Sequence, residues 1–344
     1  MNQTEPLRIG AAEFFPGEGG AIDLPIGSLT GYQPVTMHVQ VRRGRQPGPV
    51  LLLTAGLHGD ELIGIEILRR LLRMRNLRSL RGSLVVVPVV CMPAFLARSR
   101  YLPDRRDLNR LFPGSPEGSL GSRLAHAFAT EILPHCTHSI DFHGGATGRP
   151  NLPQIRISPG DTIAATLARS FAPPIVIETG LREGSLRAHL KSKEIPALLF
   201  EGGEAYRLCP EAIQCGLRGV LGVMRRLGML PSLKSDESTA AATLFARSTT
   251  WVRAPQGGLL ISETDLGHRI QPGSRLGTVV DPFGRYETVI HSEVEGMVIG
   301  IRREGHTDEG DALFHLARLP VGRPDVAVEE EILEEIVEHR DPVE

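Results

Sequence analysis

The stretch PVLLLTAGLHGDELIGIEILRRLLR (residues 49–73) decides how the chain is read. Pro49 to Thr54 is an apolar run bounded by proline and by Gly56, the pattern of a strand buried on both faces. From Asp60 to Arg75 the period changes: Leu62, Ile65, Leu68, Leu71 and Leu72 recur at helical spacing, which predicts an amphipathic helix. Between strand and helix, in a glycine-flanked loop, stand His58 and Glu61. At a helix start an i, i+3 pair points both side chains the same way, so an imidazole and a carboxylate can share one ion. Alone this HxxE pattern is weak. Its place at the carboxyl end of a buried strand, where open α/β sheets build their sites, gives it weight.

Working outward, SLVVVPVV (83–90), HSIDFHG (138–144), PPIVIET (173–179) and PALLFEGG (196–203) are further short apolar runs that read as buried strands. SLGSRLAHAFATEIL (119–133) is a helix opened by Ser119 as its N-cap, and Pro210 to Met229 is a helix with proline in its first turn. Residues 20–48 alternate loosely and suit short strands joined by polar turns. Strands alternating with helices predict an α/β fold, a mixed and largely parallel sheet flanked by helices, over residues 1–230. A polar linker is expected at 231–246. Residues 247–320 lose helical periodicity and are punctuated by PQGG, QPGS, DPFG and EGHTDEGD, which predicts a small β-barrel-like domain. The remainder, 321–344, reads as an acidic C-terminal tail.

The 344 residues are 41% hydrophobic and 23% charged, with a formal net charge of −2. That balance offers no basic footprint for nucleic acid and no polybasic membrane patch. No apolar run approaches the roughly 18 residues a membrane span needs, and the N-terminus lacks the basic start and apolar core of a signal peptide. A cytoplasmic protein is expected, with a small molecule or short peptide as partner and homo-oligomerisation open. Cys91, Cys136, Cys209 and Cys215 contain no CxxC and read as reduced, mostly buried thiols.

A catalytic zinc keeps three protein ligands and one open position, so His58 and Glu61 need a second histidine. Most of the twelve histidines sit in helices or in the β domain. His143 differs: in SIDFHGG it ends a buried strand and precedes two glycines that let a substrate approach. Asp141 points to the same strand face and could support the site from behind. His58, Glu61 and His143 thus form a candidate two-histidine, one-carboxylate site. The segment RYLPDRRDLNRLFPG (100–114) packs Arg100, Arg105, Arg106 and Arg110 with Asp104, Asp107 and Asn109, and asparagine plus arginine could cradle a carboxylate, since guanidinium donates in a fork. Glu201 in LLFEGGE ends another buried strand and faces glycines, where a general base belongs. Downstream of His143, RPNLPQIR (149–156) offers Arg149, Asn151, Gln154 and Arg156 as polar pocket walls.

HGDE with the following helix, DLNRLFPG, DFHGG and FEGG, in this order and at these separations, resemble the succinylglutamate desuccinylase/aspartoacylase family of zinc-carboxypeptidase-like hydrolases. The resemblance covers roughly residues 25–230 and extends to the small C-terminal β domain. It implies a single Zn2+ on His58, Glu61 and His143, with Glu201 as general base. It further implies Asn109 and Arg110 on the substrate carboxylate, Asp107 orienting His58, and an arginine polarising the scissile carbonyl. Arg100 is the choice for that arginine, with Arg105 and Arg106 as alternatives in the same loop. Arg187 is a candidate for a second acidic group of the substrate. The activity implied is hydrolysis of the amide of an N-acyl amino acid. A metallocarboxypeptidase releasing a C-terminal residue uses the same atoms, and a non-catalytic ligand-binding relative is the third reading.

SEVEGMVIGI (292–301) has the look of small barrels that carry lipoyl or biotinyl groups. Those groups attach through lysine, and the last lysine is Lys234. A structural or cleft-narrowing role is expected of this region instead.

Overall fold

The computed structural model describes residues 5–232 and 243–319. A short pair, β1 (Leu7–Ile9) and β2 (Ala12–Phe14), precedes a long antiparallel hairpin of β3 (Gly19–Leu29) and β4 (Gln33–Arg43). Residues 20–48 are therefore dominated by two 11-residue strands rather than several short ones. The reason is on β4, where Val35, Met37, Val39 and Val41 are all buried, an unbroken period-two row.

Next come β5 (Gln46–Thr54), α1 (Ile63–Leu72), β6 (Arg81–Val87), α2 (Met92–Leu96), α3 (Leu120–Glu131) and β7 (His138–Gly145). They are followed by β8 (Asn151–Ile157), α4 (Thr162–Phe171), β9 (Ile175–Glu178), α5 (Leu186–Ser192), β10 (Ala197–Glu204) and α6 (Pro210–Arg226). Strands β6, β5, β7 and β10 are mutually parallel, while β8 joins β10 antiparallel. Alternation on these strands feeds two cores. Leu51, Leu53, Leu84, Val86, Ile140, Phe142, Leu198 and Phe200 face the layer of α1, α4 and α6. Leu52, Val85 and Val87 face the other side with residues of α3 and α5. On β7 that second face carries Ser139, Asp141 and His143, and on β10 it carries Glu201.

Helix α1 begins at Ile63, not Asp60, and buries Ile63, Gly64, Ile67, Leu68 and Leu71; Ile65 and Leu72 are only partly covered. Gly64 sets this phase, because a Cβ there would lie 2.4 Å from the Cβ of Phe142 on β7. Only a glycine lets the helix approach the sheet so closely.

The C-terminal strands are β11 (Leu244–Ala246), β12 (Ser248–Arg253), β13 (Gly258–Ser262), β14 (Arg269–Ile270), β15 (Arg275–Val280), β16 (Glu287–His291), β17 (Gly296–Ile301), β18 (His306–Thr307) and β19 (Ala312–Arg318). Part of the expected linker proves to be structure: β11 pairs in parallel with β9, and Leu244 and Ala246 are buried against Ile175 and Ile177. Residues 233–242 and the expected acidic tail lie outside the described residues. The region after β11 is built from two sheets rather than one closed barrel. β12, β19 and β17 extend the main sheet, because β17 meets β8 at Gly300–Asn151. The main sheet thereby reaches 13 strands among the described residues, and β16, β15, β13 and β18 form a separate sheet. Apolar side chains such as Leu260, Leu276, Val279, Val298, Leu313 and Phe314 form a core of their own there. Among the described residues no helix is long and apolar enough to cross a membrane, and the four cysteines are free thiols.

Candidate active site

The loop from β5 to α1 is buried throughout residues 55–61, so its backbone has a single place to go. A Cβ on Gly59 would meet the Ala94 carbonyl at 2.1 Å, and the Gly59 amide donates to the Ser99 carbonyl at 2.9 Å. This packing fixes His58 at the end of one parallel strand, while β7 supplies His143 at the end of its neighbour. His58, Glu61 and His143 are 2%, 5% and 4% exposed. Glu61 lies between the two imidazoles: its Oε1 is 2.7 Å from His58 Nδ1 and its Oε2 is 2.9 Å from His143 Nδ1. One ligand atom from each residue falls within 4.8 Å of the others.

The far nitrogens of both rings are tied to carboxylates. His58 Nε2 is 3.1 Å from Asp107 Oδ1, and His143 Nε2 is 2.8 Å from Asp141 Oδ2. Thr54 Oγ1 donates to the other Asp141 oxygen at 2.7 Å. Burial alone would lower both histidines' pKa values. For His58 the Glu61 charge and hydrogen bonds to Asp107 and Glu61 reverse this; for His143 the charges of Asp141 and Glu61 do so, and both end above the usual imidazole value. Burial pushes the other way on Glu61, but the two histidines hold its carboxyl well below the ordinary range. Two imidazole Nδ1 atoms and a buried carboxylate converging on one point, each ring anchored from behind by a carboxylate, fit the donor set of a catalytic zinc.

Of the three arginines that could polarise a carbonyl, the structure brings one to this cluster. Arg100 places Nη1 3.3 Å from both His58 Nδ1 and Glu61 Oε1, and its Nη2 donates to Asp107 Oδ2 at 3.1 Å. Arg105 and Arg106 are exposed, and Arg106 faces Asp104. Asp107 also caps the turn that follows, accepting from the Asn109 amide at 2.8 Å. Asn109 is buried, and its Oδ1 accepts from the Leu186 amide at the start of α5 at 2.9 Å. Arg110 Nη1 donates to the Asn109 carbonyl, with Nη2 4.0 Å from Asp107.

Glu201 lies in register with His143 on one side and Gln154 on the other. Its Oε2 accepts from Asn151 Nδ2 at 2.6 Å and from Arg156 Nη2 at 3.2 Å. Arg187 donates to the carbonyls of Thr179 and Gly180, while its Nη1 is buried without a partner. Burial, and then the Arg156 charge, pull its pKa down to about 10. The Arg149 charge acts on Asp311 of the C-terminal region. Thr54 and His315 were not singled out in the sequence. Thr54 had a signal, since strand alternation puts it beside Asp141. His315 had none, because its nearness to Arg156 depends on β17 and β19 joining the sheet.

Residues 47–227 match the model of the succinylglutamate desuccinylase/aspartoacylase catalytic domain. The chain belongs to this family. An N-alpha-acetyl-L-2,4-diaminobutyric acid deacetylase of Halomonas elongata is 36% identical over 336 residues, 92% of this chain and 97% of that protein. Among solved members of the desuccinylase/aspartoacylase family, the protein from Rhodobacter sphaeroides superposes with a TM-score of 0.79 at 25% identity, covering 91% of this chain and 99% of that one. The ectoine utilization protein EutE (DoeB) of Ruegeria pomeroyi, solved with product bound, gives 0.78 at 24% identity over 92% and 100% of the two chains, a likeness of fold. The family's mixed sheet, flanking helices and C-terminal β region are all present here.

Proposed function

We propose that the chain is a zinc-dependent deacylase that hydrolyses the amide bond of a small N-acyl amino acid, acting in the cytoplasm. The observation that carries this reading is the convergence of His58, Glu61 and His143, with Arg100 and Glu201 close by, in a chain similar over nearly its whole length to a deacetylase. His58, Glu61 and His143 would hold the metal. Zinc, when bound, supplies a Lewis acid for the amide carbonyl and lowers the pKa of water from about 15.7 towards 7.

The chain's own residues do the rest. Asn109 and Arg110 bind the substrate carboxylate, and Arg187 is available to a second acidic group. Arg100 donates to the carbonyl oxygen as negative charge develops there; such a donor typically lowers the barrier by about 3–4 kcal/mol. Glu201 takes the proton from the attacking water and delivers it to the leaving amine. Asp107 and Asp141 hold the two imidazoles in the tautomer that leaves Nδ1 free.

The test is amine release by zinc-loaded protein from a panel: Nα-acetyl-2,4-diaminobutyrate, N-succinylglutamate, N-acetylaspartate and short peptides. Release from one or more N-acyl amino acids, with peptides poor, is expected. Peptides cleaved in preference would move the reading to a carboxypeptidase, and no release at all would overturn it.

A further inference from the structure

The hydrogen bonds on Glu201 come from β8, and β8 is where the C-terminal β region joins the sheet. A row of residues crosses five strands here. Glu201 on β10 is bonded by Asn151 and Arg156 of β8. Asn151 pairs with Gly300 on β17, Gly300 with His315 on β19, and His315 with Trp251 on β12. The position without a side chain is filled from both sides: a Cβ on Gly300 would lie 3.1 Å from Asn151 Oδ1 and 3.1 Å from the Cβ of His315. His315 in turn stacks on Trp251 with ring centroids 4.1 Å apart and planes within 5°. Burial, then the Arg156 charge, hold the His315 pKa down at about 3, so the ring is neutral near pH 7.

We infer that Asn151 and Arg156 are positioning residues for Glu201, and that Gly300 of the C-terminal β region gives Asn151 the room to act. The inference rests on the reading of Glu201 as the proton-transfer group. Both donors grip the same oxygen, Oε2. A carboxylate held by one oxygen from a rigid strand presents the other in a fixed direction, and a proton-transfer group must be placed to within about 0.5 Å. Neither donor needs to touch the substrate. The β region would thereby act on the chemistry through one amide side chain, not by walling the cleft.

The experiment uses full-length zinc-loaded protein and Asn151→Ala, Asn151→Ser, Arg156→Met, Arg156→Lys and Gly300→Ala, alone and combined with Glu201→Gln. Asn151→Ala and Arg156→Met should lower kcat about tenfold, a displacement penalty, with KM within about twofold. Zinc content and the calorimetric affinity for the amino-acid product should stay unchanged, and Arg156→Lys should recover part of the loss. In the Glu201→Gln background the same substitutions should cost less than about twofold, because no carboxylate remains to be positioned. Gly300→Ala should lower kcat about threefold by moving Asn151, and this loss should vanish in the Asn151→Ala background. Equal losses with and without Glu201, or a loss that falls on KM and product affinity, would overturn the inference while leaving the function intact. Near-normal turnover of Glu201→Gln alone would overturn the inference together with the proton-transfer role of Glu201, while the deacylase reading itself would stand.

Discussion

His143 lies near the end of a strand whose site-facing neighbours, Ser139 and Asp141, are also polar, while the opposite face carries Ile140 and Phe142. One strand thus separates packing from chemistry side by side, and each residue can be tested without the other. His58→Ala or His143→Ala should abolish stoichiometric zinc, because two remaining ligands rarely hold the ion; metal analysis that still finds one zinc per chain would refute the ligand set. Glu201→Gln should keep zinc and substrate affinity while kcat falls about 10²–10⁴-fold, the usual contribution of a general base. Steady-state kinetics at saturating zinc decides this. The candidate metal ligands and Glu201 were legible because HxxE, DFHGG and FEGG each follow an apolar run. Arg100 could not be separated from Arg105 and Arg106 by sequence: the loop's course decides which guanidinium reaches Glu61, and Arg105 sits in a left-handed conformation at φ +64 that turns it outward.

Elements carry the next level of precision. α1 presents Glu61 from the loop at its own start, and Gly64 sets the distance between that helix and β7. Gly64→Val should overpack the contact with Phe142 and Ala55 and cost about 1–3 kcal/mol of stability, read as a fall in melting temperature. Zinc affinity should fall with it, since Glu61 moves relative to His143. His315 gives a pH test at the same scale. Its folded-state value of about 3 lies below the ordinary imidazole value of 6.5, so between those limits the unfolded chain binds a proton that the native state does not. Stability is therefore lost as pH falls from about 6.5 to 3, at up to about 1.4 kcal/mol per pH unit for this one group. His315→Gln should flatten that slope in urea midpoints measured across the window; an unchanged slope would mean that His315 takes its proton in the folded state. Elements with clean periodicity, such as β5, α3 and α6, were readable almost to their ends. β8 was not read as a strand: RPNLPQIR was read as polar pocket wall, and Pro153 interrupts the alternation that would have marked it. The structure accommodates the proline where the register against β10 shifts between Glu201 and Gly203, so no ladder pair is asked of it.

At the scale of the molecule, the two halves share a sheet, and the sheet has no natural place to cut. Ending the chain after Leu230 removes β11 from beside β9 and β17 from beside β8. It also uncovers Ile175 and Ile177, which pack against Leu244, Ala246, Met297 and Ile299. Such a fragment should be insoluble or aggregate, because it exposes unpaired strand edges beside apolar surface. A soluble monomer of residues 1–230 by light scattering, with zinc bound, would show that the halves are separable after all. This organisation could not be seen in the chain, since the pairing of Asn151 with Gly300 joins residues far apart in sequence with no local mark on either. The span 47–227 that carries the family's signature includes every proposed zinc ligand, yet it leaves out the β3–β4 hairpin on one side and β17, β19 and β12 on the other. It is a unit of chemistry and not a unit of folding. A gene fusion or domain swap that moved that span alone would carry the proposed zinc ligands without the body that makes them converge.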